Sequence, residues 1–241
     1  MEKDFWHTLD TEWQQLLHIN YLFETRLDDS QKSKYNFWTT PTENYKNLIG
    51  SIDNKPQLGQ SDLVNNLSKV DIYGTEIVDI TPLELLPNLK EFYCGSTNII
   101  DLDPLSKNAN LEKLCCYNTP ISDINPLSGL LNLKRLCLSK SSILSITPLK
   151  YLKKLEKLSI YRTNVFDLSP LTEHTNLIKL NINYTQVDNL KPLHNLNNLK
   201  ELHCYQIRAS DFEIQQLKMN LPNCKVIDDH EVPETEYDDF V

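Results

Sequence analysis

Residues 111–132 read LEKLCCYNTPISDINPLSGLLN, and with Leu111 as position 1 the apolar residues Leu111, Leu114, Cys116, Ile121, Ile124 and Leu127 stand at positions 1, 4, 6, 11, 14 and 17. Twenty-two residues on, the same places hold Leu133, Leu136, Leu138, Ile143, Ile146 and Leu149; the next copy has Leu155, Leu158, Ile160, Val165, Leu168 and Leu171. Position 1 runs from Leu67 through Leu89, Leu111, Leu133, Leu155, Leu177 and Leu199 to Leu221 with no insertion or deletion. A fixed period of this size means a stack of near-identical coils, each burying its apolar side against its neighbours.

The spacing of two between positions 4 and 6 is strand periodicity, with both side chains on one face. The later apolar residues come three apart, which fits a tight 3₁₀ return better than a second strand. Position 16 is Pro82, Pro104, Pro126, Pro148, Pro170 and Pro192. A residue with fixed φ and no N–H suits the start of such a turn and excludes a central strand. Position 9 is Thr or Ser (Thr75 to Thr185), where a hydroxyl can bond backbone as the chain leaves the strand. Position 13 is Asp79, Asp101, Asp123, Ser145, Asp167 and Asn189; this column predicts turn capping rather than a catalytic or metal site. Strands are expected near 69–73, 91–95, 113–117, 135–139, 157–161, 179–183, 201–205 and 224–227.

At these residues the chain resembles the 22-residue leucine-rich repeats of bacterial internalins and of Sds22-type phosphatase regulators. The motif LxxLxLxxTxIxDIxPL is read in Leu89–Leu105 as LKEFYCGSTNIIDLDPL, and the repeat covers about two thirds of the chain. The resemblance implies an α/β fold: a right-handed leucine-rich repeat solenoid with about eight parallel strands on a concave face, 3₁₀ or short turns on the convex face, and helical caps. It also implies a surface that grips another protein, either as a recognition module or as an inhibitor or regulatory subunit of an enzyme such as a phosphatase.

Outside the repeat, residues 1–62 hold all three tryptophans, and Trp6, Leu9, Trp13, Leu16, Leu17 and Phe23 approximate one helical face. FWHTLDTEWQQLL resembles the WxxLxxxWQxxF entry segment of bacterial repeat proteins of this type. The segment is expected to form a helical amino-terminal cap, because the first coil would otherwise present its apolar end to water. The repeat domain is expected over 63–227. After Tyr205 the pattern breaks, and Ser210 with Glu213 forms a capping box that predicts a carboxy-terminal cap helix over 211–220, stopped by Pro222. Residues 228–241, DDHEVPETEYDDFV, have too little apolar content and too much like charge to fold alone. They are expected to be a disordered acidic tail or to fold back onto the basic residues described below.

The formal charge of −9 is unevenly placed: residues 1–60 carry nine acids and six bases, and 228–241 carry seven acids and no Lys or Arg, leaving 17 acids and 18 bases between them. No apolar run approaches the 18 residues of a membrane span, and MEKDFWHTLD does not read as a classical secretory signal; a cytoplasmic protein without membrane contact is expected, with signal-less export as an effector or adhesin the alternative. Cys94, Cys116, Cys204 and Cys224 fall in inward columns, while Cys115 and Cys137 share position 5, expected on the exposed face as reduced thiols. No catalytic, cofactor or metal site is expected: a phosphate-cradling glycine loop is lacking, and Ser159 and His203 stand two coils apart. Nucleic acid binding is disfavoured by Glu91 and Glu201, which interrupt the basic row.

With positions 4 and 6 inward, positions 3, 5 and 7 must face the other side of the sheet. Position 3 reads Lys69, Glu91, Lys113, Arg135, Lys157, Lys179 and Glu201, and position 7 reads Tyr73, Gly95, Tyr117, Ser139, Tyr161, Asn183 and Tyr205. Tyr93 and His203 at position 5 and Tyr184 at position 8 add to this face. Alternate tyrosines are expected roughly 9.6 Å apart, too far to stack on one another, framing slots floored by the small residues. The expected contact set for a protein partner with an acidic surface is Lys69, Tyr73, Tyr93, Lys113, Tyr117, Arg135, Lys157, Tyr161, Lys179, Tyr184, His203 and Tyr205, on a monomer.

Overall fold

The computed structural model describes residues 66–229. The amino-terminal cap expected over 1–62, and the tail beyond Asp229, lie outside the described residues. Eight short strands form one parallel sheet in chain order: β1 (Lys69–Asp71), β2 (Glu91–Tyr93), β3 (Lys113–Cys115), β4 (Arg135–Cys137), β5 (Lys157–Ser159), β6 (Lys179–Asn181), β7 (Glu201–His203) and β8 (Lys225–Ile227). From β1 to β7 each residue pairs with the one 22 places on, as Leu114 with Leu136 and Leu136 with Leu158.

Each of the first six strands is followed by a 3₁₀ turn, such as Thr81–Leu85 and Thr147–Tyr151, with the column proline as its second residue. The position-13 side chain accepts the N–H of the turn's first residue, as from Thr81 to Asp79 (2.8 Å) and from Asn125 to Asp123 (2.8 Å). That N–H has no partner inside the turn, so the aspartate column satisfies one orphan donor per coil. The hydroxyls of position 9 donate to the carbonyl three residues back, over 2.7–2.9 Å for Thr75, Thr97, Thr119, Thr163 and Thr185.

The regular strands are three residues long rather than five, because the backbone turns left-handed at position 8. Ser96, Asn118, Lys140, Arg162, Tyr184 and Gln206 all have φ between 52° and 56°, and Gly74 has 67°. The turn keeps the inter-coil ladder intact: each N–H of this column from Gly74 to Tyr184 donates to the position-7 carbonyl of the following coil over 2.7–2.9 Å. Six non-glycine residues therefore hold a conformation that costs L-residues roughly 1–2 kcal/mol apiece.

The core is one stack of columns at positions 1, 4, 6, 11, 14 and 17, and also position 20, where Leu86, Leu130, Leu152 and Leu196 are buried. Asn108 and His174 take the position-20 place in two coils. Asn108 Nδ2 donates to the carbonyls of Leu83 (2.9 Å) and Leu86 (3.1 Å), and His174 Nε2 bonds the Leu149 carbonyl (3.1 Å). Burial holds the His174 imidazole below its ordinary pKa. On one flank the position-22 asparagines form a further ladder, Nδ2 of Asn110, Asn132, Asn176 and Asn198 each donating to the preceding coil's position-21 carbonyl over 2.7–2.9 Å.

The expected helix is present as α1 (Asp211–Asn220), with the Ser210 hydroxyl accepting from the Glu213 N–H at 3.3 Å. It replaces the 3₁₀ turn of its coil, and Ile214 and Leu217 are buried against the stack. The longer connection slips the last register by two: Val226, not Cys224, pairs with Leu202, and Cys224 sits half-buried at the strand's entrance. An even slip keeps the same side chains on the same face, so both still pack on the core.

The left-handed column makes a direct prediction. Asn118→Val should lower stability by about 1–2 kcal/mol while Asn118→Gly is close to neutral, both read from thermal unfolding, since a β-branched side chain is disfavoured at positive φ and glycine is not.

Candidate partner-binding face

The core and the 3₁₀ turns lie behind the sheet, so positions 3, 5, 7 and 8 make its front. The twelve predicted residues all fall on this face, but in two clusters rather than one continuous trough.

At the β1–β3 end, Glu91 is the centre. Its carboxylate accepts from Lys113 Nζ (2.8 Å) and from the Tyr93 hydroxyl (2.8 Å), while Lys69 Nζ lies 4.6 Å from the centre of the Tyr93 ring. Burial opposes the ionisation of Glu91, yet the bonds from Lys113 and Tyr93 hold it below the usual carboxylate range. The Tyr93 phenol is pushed up by burial and by that same carboxylate. The glutamate that interrupts the basic row is therefore what orders it. Tyr73 does not frame an open slot: its ring crosses Gly95 so closely that a Cβ there would lie 2.7 Å from the ring, and its hydroxyl accepts from Ser96 Oγ at 3.1 Å. Tyr117 is half-buried with Lys140 Nζ 5.0 Å from its ring centre.

At the β5–β7 end Tyr184 fills the gap between alternate tyrosines. Its left-handed backbone swings the ring into edge-to-face contact with Tyr161 (5.6 Å between centroids) and Tyr205 (5.5 Å), and Arg162 lies 5.2 Å and 4.9 Å from the Tyr161 and Tyr184 rings. The expectation that these tyrosines do not pack together is thus corrected at this end: direct contact across two coils is out of reach, and the position-8 ring bridges them. Lys179 pairs with Glu201 (3.1 Å), which also bonds His203 Nε2, so Glu201 repeats the role of Glu91. Arg135 and Lys157 are half-buried in the same row.

Between the rows, position 5 is buried rather than exposed, which corrects the expectation for Cys115 and Cys137. Both thiols pack with Tyr93 and Tyr117. The hydrogen bond with Cys137, together with burial, raises the Cys115 thiol, while the same bond lowers that of Cys137 against the opposing effect of burial. All six cysteines are free. Ser139 and Ser159 bond one another (2.7 Å), and Asn183 Oδ1 accepts the Tyr205 N–H (2.7 Å). Ser159 is thus engaged with Ser139, while the His203 ring bonds Glu201. Among the described residues no group of three His, Cys, Asp or Glu is placed to hold a metal ion. None of their helices is long and apolar enough to cross a membrane.

Arg162 and Lys140 belong to the face because left-handed backbone at position 8 aims them at the tyrosines. Sequence reading missed Asp71: it accepts the Tyr73 N–H (3.0 Å), and burial, which outweighs that bond and nearby Lys69, pushes its pKa up to about 6.

A carboxyl raised in the folded state binds its proton more tightly there than in the unfolded chain. Its contribution is fully present below the ordinary value of 3.8 and is lost as pH rises through about 6. Asp71→Asn keeps the acceptor for Tyr73 without the charge, so it should stabilise the fold at pH 8 by on the order of 2 kcal/mol, with the gain gone by about pH 4, in denaturant titrations at both pH values.

Residues 87–129 match the leucine-rich repeat family in the form of two repeat copies. Among solved structures, internalin C2 of Listeria monocytogenes is similar at 28% identity and a TM-score of 0.65, over 68% of this chain and 72% of that one. Internalin F of the same organism is similar at 22% identity and a TM-score of 0.66, over 75% of this chain and 59% of that one. A leucine-rich repeat protein of Leptospira interrogans is similar at 20% identity and a TM-score of 0.58, over 69% of this chain and 50% of that one. The last two likenesses speak to the fold alone, and this chain spans only half to three fifths of those proteins. No curated protein matches the chain. The unbroken 22-residue period, the single parallel sheet with its row of 3₁₀ turns, and these matches together give the chain a leucine-rich repeat solenoid fold.

Proposed function

We propose that the chain is a protein-recognition module of the internalin-like and Sds22-like 22-residue class, which binds a partner through the front face of its sheet and catalyses nothing itself. The carrying observation is the pair of preordered clusters on that face, in which tyrosine rings are held edge to face or under lysine and arginine cations. Large aromatic groups and arginine, fixed in advance, lose little freedom on binding and are what interface centres favour. The bare sheet front is small, since eight strands at about 4.8 Å and a width near 13 Å give roughly 440 Å² against about 800 Å² per partner in a standard interface. Lys140, Arg162 and Gln206 at position 8 extend it.

The cation row favours a partner with an acidic surface. The likeness to internalin C2 supports a second reading, export as an effector or adhesin; cell fractionation of the source organism separates it from a cytoplasmic role. As an inhibitor or regulatory subunit the chain would use the same face on an enzyme.

Because Tyr161 is wholly buried, substitutions there would disturb the fold, and the half-buried cations are the better probes. Arg135→Glu with Lys157→Glu should leave the circular dichroism spectrum unchanged and weaken affinity for a partner isolated from native lysate by at least about tenfold, or about 1.4 kcal/mol. Unchanged affinity would remove the front face as the binding site.

A further inference from the structure

The middle of the front face is buried. Tyr161 and Ser159 are 0% exposed, His203 1% and Lys179 7%. Side chains stand roughly perpendicular to a sheet, so neighbours in the same layer shield their flanks but not their tips. Among the described residues no element stacks on this face: the sheet is a single layer, the 3₁₀ turns lie behind it, and α1 packs on the last of those turns. Any occupant of this face therefore comes from outside these elements.

Charge narrows the choice. Over the coils of β4 to β7 the front carries five cations, Arg135, Lys140, Lys157, Arg162 and Lys179, and each of them is engaged. Glu201 is the only acid at positions 3, 5, 7 and 8 of those coils. Residues 230–241, HEVPETEYDDFV, bring five acids, no Lys or Arg, and two aromatic rings, Tyr237 and Phe240; residues 1–60 mix nine acids with six bases.

Position narrows it further. Strand β8 brings the chain to the end of the sheet with Ile227 beside His203 in the front column, and Lys218 holds Asp228 at 3.0 Å. The tail thus departs from the rim of this face. Twelve extended residues reach about 40 Å, twice the roughly 19 Å from β8 back to β4.

We propose that residues 230–241 lie across the front of β4–β7, with their carboxylates over the Arg135, Lys157 and Lys179 row and their aromatic rings against the tyrosines. The tail then occupies in cis the face assigned above to the partner, and the partner that displaces it presents an extended acidic segment with an aromatic residue. This rests on the recognition reading for the identity of the site, though not for the docking itself.

Zero-length carbodiimide cross-linking of the full chain at low concentration tests it. The expected result is monomeric product in which Glu234, Glu236, Asp238 or Asp239 is joined to Lys140, Lys157 or Lys179. These links should be lost at 1 M salt, where screening falls to about 3 Å, and lost in a full-length variant with those four acids changed to Gln or Asn. In that variant a synthetic HEVPETEYDDFV peptide should bind, whereas it should not bind the unaltered chain. Links from those lysines to carboxylates of residues 1–65, links found only in dimers, or none would overturn the proposal. Tail cross-links combined with unchanged partner affinity in the Arg135→Glu, Lys157→Glu variant would keep the tail contact and remove the recognition reading; the converse pair would do the reverse.

Discussion

Everything in this fold depends on a ladder of backbone hydrogen bonds that runs from coil to coil at a constant 22-residue offset. Parallel strands of three residues are too short to hold themselves together, and what makes them cohere is that pairing continues beyond the strand. The N–H of position 6 donates to position 5 of the next coil, and the N–H of position 8, after a left-handed bend, donates to position 7. One inserted residue would interrupt the ladder and turn the following apolar set outward. Constancy of the period is thus a physical requirement, and each position becomes a column in which like stacks on like.

Column by column, the parts legible in the sequence were those where one residue type has one physical use. Leucine spacing gave the core, proline the turns, and threonine and aspartate the two kinds of turn hydrogen bond; the Ser210 and Glu213 pair gave the helix to the residue. Less legible were columns whose role is set by backbone. Position 8 holds Gly, Ser, Asn, Lys, Arg, Tyr and Gln, a mixture with no periodic signal, although its conformation is the same in every coil. Position 20 is a leucine column interrupted by Asn108 and His174, and the interruptions hid it. Both polar residues sit there because the carbonyls of neighbouring turns point inward and can be bonded.

The front face was legible in its composition but not in its packing. Alternation placed Lys69, Tyr117, Lys157 and their companions on one side of the sheet correctly. It could not show that Glu91 and Glu201 act as paired centres of attraction for the cations, since a column of like charge with acids at intervals reads as an interrupted patch. Nor could it show that Tyr184 closes the distance between Tyr161 and Tyr205, because that depends on the left-handed backbone beneath it. The result is a face whose charged and aromatic groups are already arranged, which is the condition under which a small area can bind specifically.

Side chains at positions 3, 5, 7 and 8 project from the ladder, so the geometry of the face stands or falls with it. Amide hydrogen exchange resolved to single residues examines this directly. The account predicts that the N–H groups of Ser96, Asn118, Lys140, Arg162 and Tyr184 exchange as slowly as those of the central strands, opening only with the whole stack. Exchange of these five at loop rates, with the strand amides still protected, would show that the ladder ends at the strands and would contradict it.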